Sequence, residues 1–355
     1  MLSVPWKNAA TVIIFARNSL LKSSPSMESA ASSKFDYKVL MLRRSGKSSF
    51  MPNLYVFPGG KSSTADFEPH WLTLFKDYRS PSDQKLNIDY VEAIKPSAKA
   101  KRPFLMSYRG LDGEDPTFNR DLAFRLCAVR ETFEECGLFL HNRPNEVKIP
   151  TSELAEWRPQ VCADANHFGA MCRNYRVIPD VTQLSEWSAW LTPVGRPELG
   201  VRRFDTIFYS LFLEDESLGG LSMDGKEISH LVWSDPETVL AEADSEKIEL
   251  APPQVYELTR MAKFGEMSAL KKAVLSGQSN GVESMMPVIY ACRDGVLSAL
   301  PGDDLYPGEP DYEGKATGGV MPVLDKTIDE LMKQCSNPHR AYRYKDTIKW
   351  HYVGP

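Results

Sequence analysis

The chain has 355 residues and a mass of 40.0 kDa, enough for one large domain or two ordinary ones with their own hydrophobic cores. Its hydrophobic content of 42% and charged content of 25% are those of an ordinary globular chain and exclude disordered and fibrous classes. The net charge of -5 provides no general attraction for a polyanion, so we expect no DNA partner.

The first predicted element is a β-strand over residues 11–17, where a β-branched apolar run is typical of a buried strand. It belongs to the most apolar run of the chain, residues 9–16. A membrane-spanning helix needs about 20 such residues. We therefore expect a core strand and no membrane insertion.

A second strand is predicted over residues 35–44. A short apolar run then stops at Gly59 and Gly60, because glycine permits the backbone angles of a tight turn. Residues 61–118 are rich in Pro, Ser, Asp and Lys, which indicates an insertion between neighbouring elements. Its apolar patch, residues 71–75, is expected to dock on the body of the protein.

The clearest helix is predicted over residues 122–136, with Asn119 or Asp121 as N-cap and Gly137 just beyond its end. Its apolar side chains recur at helical spacing and should pack on a sheet. They are Leu122, Leu126, Val129, Phe133 and Cys136.

Three glutamates, Glu131, Glu134 and Glu135, share the opposite face of this helix, which we call the carboxylate face and expect to be exposed. One interpretation is a solvated helix surface, the usual role of clustered charges. The other is a metal site. Glu131 lies at repulsive spacing from the other two glutamates with only Arg130 nearby, and carboxylate oxygens are the ligands that Mg²⁺ prefers.

Downstream, residues 151–191 are predicted to be mostly helical, ending in the aromatic residues Trp187 and Trp190. Strands are predicted over residues 204–213 and 229–233. Strands on both sides of the carboxylate helix imply a mixed α/β sandwich. The rest of the chain is predicted to contain helical segments near 253–276 and 324–334 and a hairpin over 288–300.

The carboxylate helix resembles the Nudix hydrolases, whose box reads G-x5-E-x7-R-E-U-x-E-E-x-G-U, with U a bulky apolar residue. Residues 130–138 (RETFEECGL) fit its second half, and Gly60 fits its start. Between Gly60 and Arg130 lie 69 residues, where the uninterrupted box has 13. The position of the upstream Glu, eight residues before Arg130, is Leu122, and the sequence leaves open whether the adjacent Asp121 replaces it.

Residues 190–193 (WLTP), 202–206 (RRFDT) and 300–303 (LPGD) are similar to the organellar acyl-coenzyme A diphosphatase branch of that family. The resemblance implies a Nudix-type α/β/α sandwich with a mixed sheet, a long insertion inside the box and a mostly helical C-terminal extension. We place the Nudix domain at residues 6–245 and the extension at 246–355. The implied reaction is metal-dependent hydrolysis of the diphosphate bond of coenzyme A and acyl-CoA esters to 3',5'-ADP and (acyl-)4'-phosphopantetheine.

By position in the box, the resemblance also implies residue roles. The implied ligands of Mg²⁺ or Mn²⁺ are Glu131, Glu134 and Glu135. Glu134 is a further ligand or the catalytic base, and Arg130 orients the glutamates. Gly59 and Gly60 would let their loop approach the metal and the substrate closely.

Three further positions are candidates with a structural alternative. Glu227 either belongs to a surface turn or reaches the site from a loop, where some Nudix enzymes place a catalytic Glu. Arg202 and Arg203 either include a contact for a substrate phosphate or both form structural pairs. The 3'-phosphate of coenzyme A calls for a basic contact, for which the candidates are Arg43, Arg44, Lys47, Arg202 and Arg203.

Two other functions remain open at this point. One is hydrolysis of a different nucleoside diphosphate derivative, such as ADP-ribose, a dinucleotide or a capped RNA end. The other is a binding module that senses a nucleotide without cleaving it. An intact carboxylate face favours an enzyme, because a non-catalytic module has no need for a repulsive cluster of charges.

The six cysteines form no CxxC pair and have wide spacings, which favours reduced thiols and an intracellular protein. The resemblance implies the mitochondrion or the peroxisome. The first 27 residues contain no acidic side chain and loosely resemble a transit peptide, whereas residues 353–355 are not an S-K-L type signal.

Overall fold

A computed structural model describes residues 6–18, 34–47, 52–78, 100–107, 117–143, 145–193, 202–213, 221, 227–315 and 320–354. Within them, one sheet contains β1 (Lys7–Arg17), β2 (Tyr37–Arg44), β3 (Tyr55–Val56), β4 (Gly59–Lys61), β5 (Ser185–Leu191), β6 (Phe204–Leu213), β7 (Ile228–Ser234) and β8 (Ser284–Met285). The helices of the same residues are α1 (His70–Tyr78), α2 (Arg120–Cys136), α3 (Thr151–Ala163), α4 (Asn166–Tyr175), α5 (Pro236–Asp244), α6 (Pro252–Met261), α7 (Met267–Gly277) and α8 (Ile328–Lys333).

The sheet is mixed, and its strands run in the order β3-β2-β1-β6-β5-β8. Strand β1 is parallel to β6 and antiparallel to β2. Strand β4 pairs with the first half of β1, and β7 pairs with β2. Gly59 and Gly60, which we call the glycine turn, belong to β4 and are thereby fixed to the central strand of the sheet.

Helix α2 confirms the predicted carboxylate helix and its caps. The side chain of Asn119 accepts a hydrogen bond from the N–H of Leu122 at 3.1 Å, so Asn119 is the N-cap. Gly137 ends the helix in the left-handed conformation at φ 73°, which glycine adopts without the steric cost that other residues carry.

Alternate residues of β1 face two hydrophobic cores, as the two-residue period of a strand requires. Val12 and Ile14 pack in the core that contains α2, and Ile13 and Phe15 pack in the core that contains α6 and α7. The expected α/β/α sandwich with a mixed sheet is therefore confirmed. None of the helices in the described part of the chain is both long and apolar enough to cross a membrane.

The prediction of a mostly helical segment over 151–191 is wrong at its end, because residues 185–191 form β5. The i,i+3 spacing of Trp187 and Trp190 imitates a helical stripe. In the structure, a register shift between Glu186 and Ser188 lets both indoles donate hydrogen bonds to the buried carboxylate of Glu257, at 2.6 and 2.8 Å. Such a bulge re-aims side chains along a strand.

The C-terminal extension is less helical than expected. The predicted hairpin is present as β9 (Val288–Ala291) and β10 (Gly295–Ala299), and it continues into an antiparallel sheet with β11 (Arg340–Tyr344) and β12 (His351–Val353). Strand β11 joins β10 through contacts between distant parts of the chain, including a buried ion pair between Asp303 and Arg340. A local hydrophobic pattern does not reveal such pairing.

Candidate active site

The C-terminal half of α2 lies against the glycine turn and β4. The N–H of Gly59 donates a hydrogen bond to the carboxylate of Glu135 at 2.7 Å. A Cβ atom on Gly60 would lie 2.3 Å from the Glu131 carboxylate, so a side chain there would displace it. The expected exposure of the carboxylate face is wrong, since Glu135 is only 4% exposed. The reason is that the glycine turn covers this face.

Arg130 is buried beside the carboxylate face and binds three carboxylates at once. One terminal nitrogen donates to Glu131 at 2.9 Å and to Glu134 at 2.6 Å. Nε and the other terminal nitrogen donate to Asp66 at 2.8 and 2.9 Å. The guanidinium therefore fixes two glutamates of the carboxylate face relative to Asp66, which follows β4.

Asp66 is the residue of this site that sequence reasoning missed. It lies on a short 3-10 helix, Thr64–Phe67, where it also accepts a hydrogen bond from the N–H of Ser63 in a capping box. Counted back from Arg130, the upstream Glu of the box falls on Leu122. Counted forward from Gly60, the G-x5-E spacing falls on Asp66. The insertion therefore begins after the acid, and this forward count was the available signal.

Asp121 does not take that place. It lies in the first turn of α2, more than two helical turns before Arg130. Its carboxylate pairs with Arg102, which also donates to Glu186 at 2.7 Å. Asp121 thus ties the end of the insertion to α2 and β5, whereas Asp66 supplies the acid next to Arg130.

Burial raises the pKa of all three carboxylates. Desolvation is the main cause that raises the pKa of Glu131 to about 7; Arg130 lowers this pKa, and the charge of Glu134 contributes to the rise. Desolvation is also the main cause of the raised pKa values of Glu134 and Glu135. The protein alone therefore disfavours the charged forms of these carboxylates, and a bound cation would favour them.

Two other candidates lie within electrostatic reach of this face. Glu227, at the start of β7, raises the pKa of both Glu134 and Glu135. Arg44, at the end of β2, has the opposite effect on Glu135. The structure thus brings Glu227 and Arg44 together with the carboxylates of α2, although they are distant in sequence.

The two arginines before β6 have separate environments. Arg203 is buried, its guanidinium lies 3.9 Å from the ring centre of Trp6, and it donates to the carbonyl of Tyr312 at 2.8 Å. These contacts favour the structural alternative for Arg203. Arg202 is exposed and stays a candidate for substrate contact.

The donor set of the carboxylate face fits a hard divalent cation, because such an ion prefers oxygen ligands and would relieve the repulsion between the buried carboxylates. The residues that would hold the ion are Glu131, Glu134 and Glu135. In the described part of the chain, no three His, Cys, Asp or Glu side chains already converge as a metal site. Arg130 instead engages two of these carboxylates.

Comparison with known proteins assigns the chain to a family. A family model described as the NUDT19 Nudix domain matches residues 6–261, and one described as the NUDT19 C-terminal domain matches residues 289–349. The chain is 37% identical over 349 residues to a Gallus gallus protein named acyl-coenzyme A diphosphatase NUDT19, covering 94% of this chain and 88% of the relative. A Homo sapiens protein of the same name is 34% identical over 352 residues, covering 96% and 89%.

A solved structure agrees at the level of the fold. The crystal structure of a Nudix hydrolase from Alicyclobacillus acidocaldarius superposes with a TM-score of 0.50 at 21% identity, covering 78% of this chain and 99% of that one. Nudix hydrolases generally need divalent metal ions, and the carboxylates of α2 are suited to hold one. The chain belongs to the NUDT19 family of Nudix hydrolases and is an enzyme of that kind.

Proposed function

We propose that this enzyme hydrolyses the diphosphate bond of coenzyme A and of acyl-CoA esters, with Mg²⁺ or Mn²⁺ as cofactor. The products are 3',5'-ADP and 4'-phosphopantetheine or its acylated form. The single observation behind the hydrolytic chemistry is the buried carboxylate face of α2 closed by the glycine turn. The substrate is taken from the two relatives named acyl-coenzyme A diphosphatase, which are similar over nearly the whole chain.

The residues of the site have separate roles in this proposal. Glu131, Glu134 and Glu135 supply the oxygen ligands for the cation. A bound divalent cation would neutralise the charge that develops on phosphate oxygens as water attacks phosphorus. Arg130, held by Asp66, keeps the glutamates in position.

Two carboxylates are candidates for the base that accepts a proton from the attacking water. Glu134 lies on the carboxylate face, where Arg130 binds it. Glu227 is exposed at the edge of the site and close enough to act on the pKa of Glu134. A Glu227→Gln variant distinguishes the two candidates. If Glu227 is the base, this variant should lose the acidic limb of the pH–rate profile, and if Glu134 is the base, the limb should remain.

A substrate panel with Mg²⁺ and with Mn²⁺, its products resolved by mass, tests the proposal. It contains coenzyme A, an acyl-CoA, dephospho-CoA, ADP-ribose, a dinucleoside polyphosphate and a capped RNA. We expect metal-dependent release of 3',5'-ADP from the first two. Dephospho-CoA should be poorer by about 10- to 100-fold in kcat/KM, because a charge-assisted hydrogen bond to the missing phosphate contributes about 1.5 to 3 kcal/mol.

Other outcomes identify the alternatives. Faster turnover of ADP-ribose, a dinucleotide or capped RNA would replace coenzyme A as the substrate. Nucleotide binding without turnover in either metal would favour the sensing module. The organellar location, mitochondrial or peroxisomal, is a proposal of its own, and imaging a tagged full-length chain tests it.

A further inference from the structure

Strand β2 ends in two adjacent arginines whose side chains lie on opposite faces of the sheet. Leu40 and Leu42 pack in the core that contains α2, and the alternation of a strand places Arg44 on the same face. Arg43 lies on the other face, where its charge acts on Tyr55, which packs against the second core. Of the two arginines, only Arg44 shares a face with the carboxylate helix.

The backbone at Arg44 is held on both edges. Its N–H donates to the carbonyl of Leu54 at 2.9 Å, and the next N–H, of Ser45, donates to the carbonyl of Glu227 at 2.7 Å. A register shift in the pairing with β7 places Arg44 opposite Ile228, which is fully buried in the α2 core. This bulge brings Arg44 and Glu227 next to each other at the edge of the site.

The segment that pairs with the end of β2 leads to the carboxylate face, because Val56 pairs with Leu42 and, three residues later, the N–H of Gly59 binds Glu135. Arg44 counteracts part of the rise in the pKa of Glu135. A guanidinium presents parallel donors that match two oxygens of one phosphate. A phosphate held by a cation on Glu135 would therefore lie on the face of the sheet that carries Arg44.

We propose that Arg44 is a catalytic residue that contacts the diphosphate being cleaved, and that it is not the contact for the 3'-phosphate. The inference rests on the proposed function for the location of the diphosphate. Hydrolysis adds the hydroxyl of water to one phosphorus and its remaining proton to the phosphate that leaves as the bridging P–O bond breaks. Charge grows on the phosphate oxygens in this step, and a positioned guanidinium stabilises it.

The test compares Arg44→Ala with Arg293→Ala in the full-length enzyme with Mg²⁺, using coenzyme A and dephospho-CoA. We expect Arg44→Ala to lower kcat by about 10- to 100-fold, by the same factor on both substrates, because both carry the diphosphate. Arg44→Lys should recover part of the loss, since it keeps the charge and loses the paired donors. Arg293→Ala, at an exposed position between β9 and β10, should keep the wild-type kcat. If Arg44→Ala does not fold, Arg44→Gln takes its place.

A binding measurement keeps this inference separate from the identity of the substrate. ADP carries a diphosphate and no 3'-phosphate, so calorimetric titration with ADP and Mg²⁺ should give weaker binding to Arg44→Ala than to Arg293→Ala. Equal ADP affinities in these variants would overturn the inference. If Arg44→Ala lost turnover of coenzyme A but not of dephospho-CoA, the inference would also be overturned, because Arg44 would then contact the 3'-phosphate. Failure of the wild type to cleave coenzyme A would overturn the proposed function alone.

Discussion

Asp66 and Arg130 form an ion pair from which water is almost excluded, with side chains only 1% and 4% exposed. Two hydrogen bonds join them, and the remaining donors of the guanidinium reach Glu131 and Glu134. Asp66 therefore acts through Arg130 and is a positioning residue. Its own carboxylate does not belong to the proposed metal ligands.

Replacing Asp66 by Asn should lower the free energy of unfolding by about 3 to 5 kcal/mol, because the buried guanidinium loses its counter-charge. It should also lower kcat, because the glutamates lose a fixed neighbour. Asp66→Glu is the matched control, since it keeps the charge and restores the residue type of the uninterrupted box. Chemical denaturation measures the first effect. Equal stability of Asp66→Asn and the wild type would mean that the glutamates alone hold Arg130.

Glu134→Gln and Glu135→Gln should each lower kcat by at least about 100-fold, because each removes a charged ligand from the carboxylate face. The fold should survive, since the glutamine oxygen at position 135 can still accept the hydrogen bond from Gly59. Glu156→Gln, at an exposed position of α3, is the control. Steady-state kinetics with circular dichroism decide the matter, and wild-type turnover in either variant would remove that glutamate from the site.

At the scale of elements, the described part of the insertion belongs to the core. Helix α1 buries Trp71, Leu74 and Phe75 in the core that contains α2, as expected from the apolar patch. The Trp71 indole donates to the carbonyl of Ala65 at 2.8 Å, and its ring lies 6.0 Å from that of Phe168. The insertion thus packs in the same hydrophobic core as the carboxylate helix and stabilises it.

Trp71→Ala should therefore lower the free energy of unfolding by about 3 to 5 kcal/mol, the usual cost of removing a buried aromatic side chain. Leu72→Ala is the control on the same helix, because Leu72 is 45% exposed and its loss should change stability by no more than about 0.5 kcal/mol. Urea denaturation of both variants measures the difference. Similar small losses would mean that α1 only rests on the surface.

The elements that sequence could predict were those with local signals. Helix α2 carries an N-cap, an apolar stripe and a terminal glycine within one window, so its bounds and its carboxylate face were predictable. The covering of that face was not, because Gly59 and Gly60 reach it through β4. Strand β5 was misread because two tryptophans at helical spacing bind one buried carboxylate, Glu257.

At the scale of the whole molecule, the extension contacts both the insertion and the sheet. The ring of Tyr312 lies 5.0 Å from that of Phe104, and its carbonyl accepts from Arg203. The ring of Tyr256 on α6, within the extension, lies 5.0 Å from that of Trp190 on β5 and 4.8 Å from that of Tyr352. Such contacts join residues far apart in sequence, which is why the sequence indicated the family more clearly than the arrangement of its last third.

Metal binding should stabilise the entire fold, because a cation that binds only the folded state shifts the unfolding equilibrium. At 100 times the dissociation constant the gain is about 2.7 kcal/mol. We expect Mg²⁺ to raise the Tm of the wild type above its value in EDTA and to raise that of Glu135→Gln by less. Glu156→Gln should keep the full shift. Scanning calorimetry measures these shifts, and identical ones in all three proteins would place the cation elsewhere.

The separation of Asp66 from Arg130 also has a consequence for biosynthesis. The two residues are 64 positions apart, against 8 in an uninterrupted box. The increase from 8 to 64 positions is three doublings of loop length, which add only about 2 kcal/mol to the entropy cost of loop closure. The longer separation therefore has little effect on the free energy of unfolding. The longer separation has a larger effect on the time between the synthesis of the two residues. At about 5 to 20 residues per second, Asp66 is added to the chain some 3 to 13 seconds before Arg130. During that interval the nascent chain contains Asp66 but lacks Arg130, the arginine that pairs with this buried carboxylate in the folded protein.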